Sequence, residues 1–195
     1  MVRRGNTLTN HDSGHRLIVA GVLVFVIAVL EQCASRPAPQ PELTPVVSVK
    51  ELMENLVDPN ADFIFDSVVT DVSANGIVET RPTTEEDWAR VERAAILLAE
   101  ATNLLKMPRQ IAPAGDTSAQ AAELTPPQIQ AKVDADRATW GKYANGLRDV
   151  AVKGIAVAKA KDVNGVFELG ADLDQACENC HLEYWYPGDK KPALK

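Results

Sequence analysis

Hydrophobic and polar positions divide the chain into three stretches of different character. Leu17–Leu30 is an unbroken run of 14 apolar residues. Residues 36–45, Arg-Pro-Ala-Pro-Gln-Pro-Glu-Leu-Thr-Pro, show no periodicity, and their alternating prolines favour a semi-rigid extended spacer. From Val46 onward apolar residues recur at spacings of three and four, the mark of helices that bury one face. Val46, Val49, Met53 and Leu56 begin a first helix, which Asp58-Pro59 either kinks or ends by capping a new one. Val68 to Thr80 alternates apolar and polar residues around Asn75-Gly76, which predicts a small β-hairpin with a type I′ turn in the first inter-helix loop. Thr83 and Glu86 fit a capping box, and Trp88, Val91, Ala95, Leu98, Thr102 and Leu105 trace a second helix that Pro108 ends.

Pro126-Pro127 opens a third helix. Ile129, Val133, Asp136, Trp140, Tyr143, Leu147, Val150, Gly154 and Val157 carry it for almost four heptads, with Asp136 expected at the edge of the seam. A fourth helix starts near Asp162 and sets Val163, Val166, Gly170, Leu173, Cys177 and Cys180 on one face. Four such helices predict an all-α chain folded as an up-down-up-down four-helix bundle, hairpin included. In that topology Met53, Leu104, Leu105, Met107, Ile129 and Val133 surround Cys177 to His181. Trp88 belongs at the opposite end, and Trp140 and Tyr143 belong in the seam. Lys50 and Arg109 lie within reach of the same end and are expected to be solvated.

Charge and leader pattern narrow the classes. The chain has 20 basic and 27 acidic residues, a net charge of −7, and without residues 1–35 the charge is −8. A sequence-independent nucleic-acid binder needs the opposite sign. Arg3, Arg4 and Arg16 precede the apolar run, the layout of an export signal peptide, so a periplasmic destination is expected. Fourteen apolar residues fall short of the roughly 17–25 of a spanning helix. An uncleaved anchor held by snorkelling end residues stays open. Leu30-Glu31-Gln32-Cys33 offers a lipoprotein anchor, and cleavage after Ser35 competes with it. The expected organisation is therefore a signal or anchor over 1–35, a spacer over 36–45, a helical domain over 46–188 and a tail over 189–195.

Cysteine and histidine are scarce, which restricts the chemistry. Cys33, His11 and His15 fall in the leader, leaving Cys177, Cys180 and His181. No site needing two histidines can be built from this domain, and no nucleophile–base constellation is present, so no enzyme is predicted. Cys177-Glu178-Asn179-Cys180-His181 matches the C-x-x-C-H pattern of covalent haem attachment. Cysteines three apart on a helix project to one side and can form thioethers with two vinyl groups, and the adjacent imidazole can ligate the iron. A redox dithiol, half a zinc site or coincidence are the alternatives.

That pentapeptide at the end of the last of four helices, with Tyr184 three residues after His181, resembles the cytochrome c′ family and its low-spin, methionine-ligated relatives over about residues 46–186. The resemblance implies one haem c on Cys177 and Cys180, with His181 as proximal iron ligand. Met53 is the candidate distal ligand, with Met107 the weaker one, and a flexible core methionine is the competing reading of Met53. Leu104, Leu105, Ile129, Val133 and Tyr184 are the candidate pocket residues. Where the family often carries a basic residue after the aromatic, this chain has Trp185, followed by Tyr186, which suggests a haem edge shielded by aromatic rings. The expected function is electron transfer with a redox partner bearing a basic patch, the N-terminus serving as a membrane tether. A homodimer through the first two helices is implied by the family. Binding of NO or CO at an open distal site is the alternative, and a structural lipoprotein whose cysteines form a disulfide is a third.

Overall fold

In the computed structural model, residues 42–74, 76–118 and 122–188 are described. The signal or anchor over 1–35, residues 36–41 of the spacer and the tail over 189–195 lie outside them. Among the described residues no helix is long and apolar enough to cross a membrane.

The first helical rod has three parts: α1 (Val49–Leu52), a π-helical turn (Met53–Val57) and α2 (Asp58–Ser67). Ser48 and Glu51 form a reciprocal capping box, with Glu51 N–H donating to Ser48 Oγ at 3.2 Å and Ser48 N–H donating to Glu51 Oε2 at 2.9 Å. The predicted start at Val46 is therefore too early; Val46 is 93% exposed. The loop after the second helix completes this cap, because Val49 N–H donates to Gln110 O and Lys50 N–H to Ile111 O, both at 2.9 Å. Asp58-Pro59 neither ends the rod nor starts a separate one. The turn before it widens, and Asp58 N–H donates to Met53 O, five residues back. Pro59, which has no N–H, then sits in the first turn of α2. Asn55 Nδ2 and Asn60 Nδ2 donate to Glu51 O and Leu56 O, adding side-chain donors to the backbone around the turn.

Strands β1 (Val69–Ser73) and β2 (Gly76–Thr80) pair antiparallel, as the alternation predicts. Ser73 pairs with Gly76, so the chain turns one residue earlier than an Asn75-Gly76 turn would place it; Asn75 itself lies outside the described residues. Gly76 has φ +119°, which favours glycine.

Helix α3 (Glu85–Lys106) buries Trp88, Val91, Ala95, Leu98, Thr102 and Leu105, the spacing read from the sequence. Its capping box is Thr84 with Asp87, one residue beyond the predicted Thr83 and Glu86. Asp87 accepts hydrogen bonds from the backbone N–H groups of Thr84 and Thr83, which pull its carboxyl from 3.8 down to about 2. A depressed folded value means that the cap's contribution is complete above the unfolded carboxylate value and disappears as pH falls through about 2. The parent is accordingly expected to lose more stability than Asp87→Asn when urea unfolding is followed from pH 4 down to pH 2. Parallel pH profiles for the two proteins would refute this.

The third helix is not continuous. Asp136 separates α4 (Pro126–Ala135) from α5 (Arg137–Ala160), with φ −144° and ψ 74°, and its carboxylate accepts from Thr139 N–H at 2.9 Å. The polar intruder in the seam is an N-cap. A two-residue connection, Lys161-Asp162, then leads to α6 (Val163–Tyr184), with Asp162 capping through Gly165 N–H.

The described chain is thus mostly helical, with one small antiparallel sheet. Helix α2 packs on α3 and α6, α3 on α5, and α5 on α6. Gly154 lets α5 approach its neighbours: a Cβ there would lie 2.9 Å from Leu169 Cδ2 and 3.2 Å from Ala95 Cβ. Trp88, Val91, Ala158 and Val166 make a small apolar cluster separate from the main core.

Candidate functional site

Cys177, Cys180 and His181 occupy the last two turns of α6 and line one cavity of about 160 Å³. Met53, the first residue of the π-turn, and Val57, Ala61 and Phe65 of the same rod also line it. Leu105 of α3 and Trp140, Tyr143, Ala144 and Leu147 of α5 complete the apolar wall, and the exposed Asp58 and Asp62 stand at its rim.

The predicted neighbours separate into two groups. Met53 and Leu105 are on the wall. Leu104 is 38% exposed and is not among the lining residues. Ile129 and Val133 are buried in the main core without lining the cavity, because the break at Asp136 gives α4 a course of its own. Tyr184 is buried behind the wall, edge-on to Trp140 at 5.0 Å and to Tyr143 at 5.9 Å between ring centroids. Those two rings, placed in the seam from the sequence, also face the cavity. Met107 caps the end of α3 and its Sδ accepts from Arg109 Nη2 at 3.8 Å, away from the cavity. Lys50 is paired with Asp116 at 2.6 Å, and Arg109 donates to Val47 O at 3.2 Å. Among the lining residues that sequence reasoning missed are Val57, Ala61 and Phe65 of the first rod. Their four-residue spacing was a usable signal, hidden because the stripe was followed only as far as Leu56.

Both cysteines are free thiols in an environment that opposes ionisation. Burial pushes Cys177 up to about 11, with Asp58, Asp174 and Glu178 adding to it. Burial likewise pushes Cys180 up to about 12, reinforced by Cys177 and Glu183. This setting is the reverse of the electropositive one that activates a redox dithiol. Among the described residues no group of three or more His, Cys, Asp or Glu is arranged to hold a metal ion. At the rim, burial raises the Asp58 carboxyl, His181 opposes the rise, and Asp62 and Glu54 add to it.

No family model, curated protein or solved structure matches the chain. What the site can do therefore follows from its own donors.

His181 is flanked by the unusual aromatic tail: its ring lies 6.0 Å from both Trp185 and Tyr186. The Trp185 and Tyr186 N–H groups donate to His181 O, and the Tyr186 hydroxyl donates to Glu178 Oε2 at 3.1 Å. Two thiols three residues apart, the adjacent imidazole and a thioether line one apolar space, a set that would hold a flat macrocycle covalently and offer nitrogen and sulfur donors to a metal it carried. The cavity volume is close to that of a cavity that admits benzene, about 150 Å³, so a macrocycle would fill it only in part and extend past the rim.

Proposed function

We propose that this chain is an exported monohaem c-type cytochrome that carries electrons, built as an up-down-up-down four-helix bundle of the cytochrome c′ kind. The observation that carries the reading is the convergence of Cys177, Cys180, His181 and Met53 on one apolar cavity. For the bundle, support comes from the closed ring of packing, α2 on α3, α3 on α5, α5 on α6 and α6 on α2. Haem c supplies reversible Fe(III)/Fe(II) chemistry. Cys177 and Cys180 hold the group as thioethers, and His181 offers its imidazole on the α6 side. Met53 offers a soft sulfur from the π-turn, a ligand that suits both oxidation states. Leu105, Val57, Trp140 and Tyr143 keep water from the face they cover. Asp58 and Asp62 make the rim acidic, which favours a redox partner with a basic patch and an association weakened by salt. The leader pattern supports export to a periplasm.

Optical spectra of the chain matured in a periplasm, oxidised, reduced and reduced with CO, test this reading. The expected result is covalently retained, low-spin haem that is slow to take CO. Met53→Ala is expected to turn the spectrum high-spin and to let CO bind promptly. Protein without covalent haem would overturn the proposal. Prompt CO binding by the unaltered chain would remove Met53 as ligand and favour gas binding. An unchanged low-spin spectrum in Met53→Ala would remove Met53 as ligand.

A further inference from the structure

Three consecutive residues of the α3–α4 connection are bonded to the start of the first rod. Arg109 Nη1 donates to Val47 O at 3.2 Å, while Gln110 O and Ile111 O accept the Val49 and Lys50 N–H groups, both at 2.9 Å. Further along, Asp116 Oδ2 meets Lys50 Nζ at 2.6 Å. Ile111 is itself fixed: it is buried in the main core, and its N–H donates to Gln130 Oε1 of α4 at 2.9 Å. Helix α1 has only four residues, too few to hold its own place. These bonds, with the burial of Val49 and Leu52, decide where it sits. Val49 O and Lys50 O in turn accept the Met53 N–H. A continuous run of backbone hydrogen bonds thus leads from the connection to Met53.

The other end of the same connection reaches the end of α6 in the same way. Leu124 N–H donates to Trp185 O at 2.7 Å, and Trp185 N–H donates to His181 O at 2.7 Å. Ser118 Oγ donates to Leu124 O at 2.9 Å, which joins the two described stretches of the connection, 107–118 and 122–125. None of Gln110, Ile111, Asp116, Leu124 and Gln130 lines the cavity, so each can be changed without touching what the cavity holds.

We propose that the α3–α4 connection is a positioning brace that holds the Met53 turn in place relative to the end of α6, with Gln130 and Asp116 as the positioning residues. This rests on the reading of Met53 and His181 as axial donors and adds what keeps Met53 at the cavity. Loosening the brace frees the Met53 turn and opens the sixth coordination position to small ligands, while Cys177, Cys180 and His181 stay on α6.

Amide hydrogen exchange of the purified full chain tests the brace by a readout that needs no haem. In Gln130→Leu the Val49, Lys50 and Met53 amides are expected to exchange about five- to tenfold faster than in the parent, the worth of one hydrogen bond. Leu98 and Leu173, buried in the middle of α3 and α6, are expected to keep the parent's rates. Gln130→Glu retains an acceptor for Ile111 N–H and is expected to stay near the parent. Asp116→Asn weakens only a partly exposed ion pair, so about two- to threefold faster exchange is expected, a difference that added salt removes. Unchanged Val49, Lys50 and Met53 amides in both Gln130→Leu and Asp116→Asn, or acceleration spread evenly over all helices, would overturn the proposal.

Haem-loaded protein supplies the second readout. CO reaches reduced iron only in the fraction whose sixth position is open, so Gln130→Leu is expected to take up CO about fivefold faster than the parent. Gln130→Glu is expected to match the parent. If Met53→Ala turns the spectrum high-spin while Gln130→Leu leaves CO uptake unchanged, the brace does not govern the ligand and the proposal fails. If Met53→Ala leaves the spectrum unchanged, the ligand reading fails instead, and the exchange pattern alone decides the brace.

Discussion

Trp140→Ala is expected to destabilise the chain by about 3–5 kcal/mol, read as a lowered urea midpoint at equilibrium. Three losses combine at this position. The ring is 3% exposed, so its removal leaves a void in the main core. Its Nε1–H donates to Leu105 O at 2.8 Å, and that buried carbonyl lies in the last turn of α3. Its edge-on contact with Tyr184, worth about 0.5–1.5 kcal/mol beyond the area buried, also goes. Trp140→Phe separates these terms, since it keeps most of the packing and removes the donor. A cost of about 1–3 kcal/mol is expected for it. If Trp140→Ala costs less than Trp140→Phe, the wall is not anchored in the way described.

Deleting Asn55 is expected to be at least as damaging, although the residue is exposed. The π-turn holds one residue more than an α-helical turn would, which is why the buried positions step from Leu52 to Val57. With that residue removed the rod becomes a plain α-helix. Residues before the turn then rotate by about 100° relative to α2. Val49 and Leu52 leave the core, at about 1.5–3 kcal/mol each, and Met53 leaves the cavity wall. Asn55→Ala keeps the residue count and loses only the side-chain bond to Glu51 O, so its effect is expected to be near 0.5–1 kcal/mol. A deletion variant whose urea midpoint matches that of Asn55→Ala would show that the turn does not set the phase of the rod.

The same turn explains what the sequence could and could not convey. Helix α3 was legible because 22 residues keep one phase without a break. The first rod carries two short stripes, Val49-Leu52 and Val57-Ala61-Ile64, one residue out of phase, and neither is long enough to announce a helix alone. Asp136 sits where a heptad position should be apolar, with Thr139 three residues on, a pattern that serves a cap as well as a seam edge. For α3, Thr83 with Glu86 and Thr84 with Asp87 are overlapping frames of one rule, so local sequence could not choose between them. At the site, Cys177, Cys180 and His181 were legible because their chemistry is written on nearly consecutive residues. The part of the wall built by Val57, Ala61 and Phe65 was not, because it depends on the phase slip before Pro59.

Chain order also bears on how the cavity forms. Only two residues join α5 to α6, so their packing is local in sequence, and α3 shares its most extensive surface with α5. Each part of the α1–α2 rod packs on α3, and α2 also meets α6, far along the chain, at a smaller surface. Contacts distant in sequence close a longer loop and cost more chain entropy to form. The cavity is therefore closed between elements from the two ends of the described chain, the rod carrying Met53, Val57 and Ala61 and the helix carrying Cys177, Cys180 and His181, so it exists only once the whole helical assembly has formed.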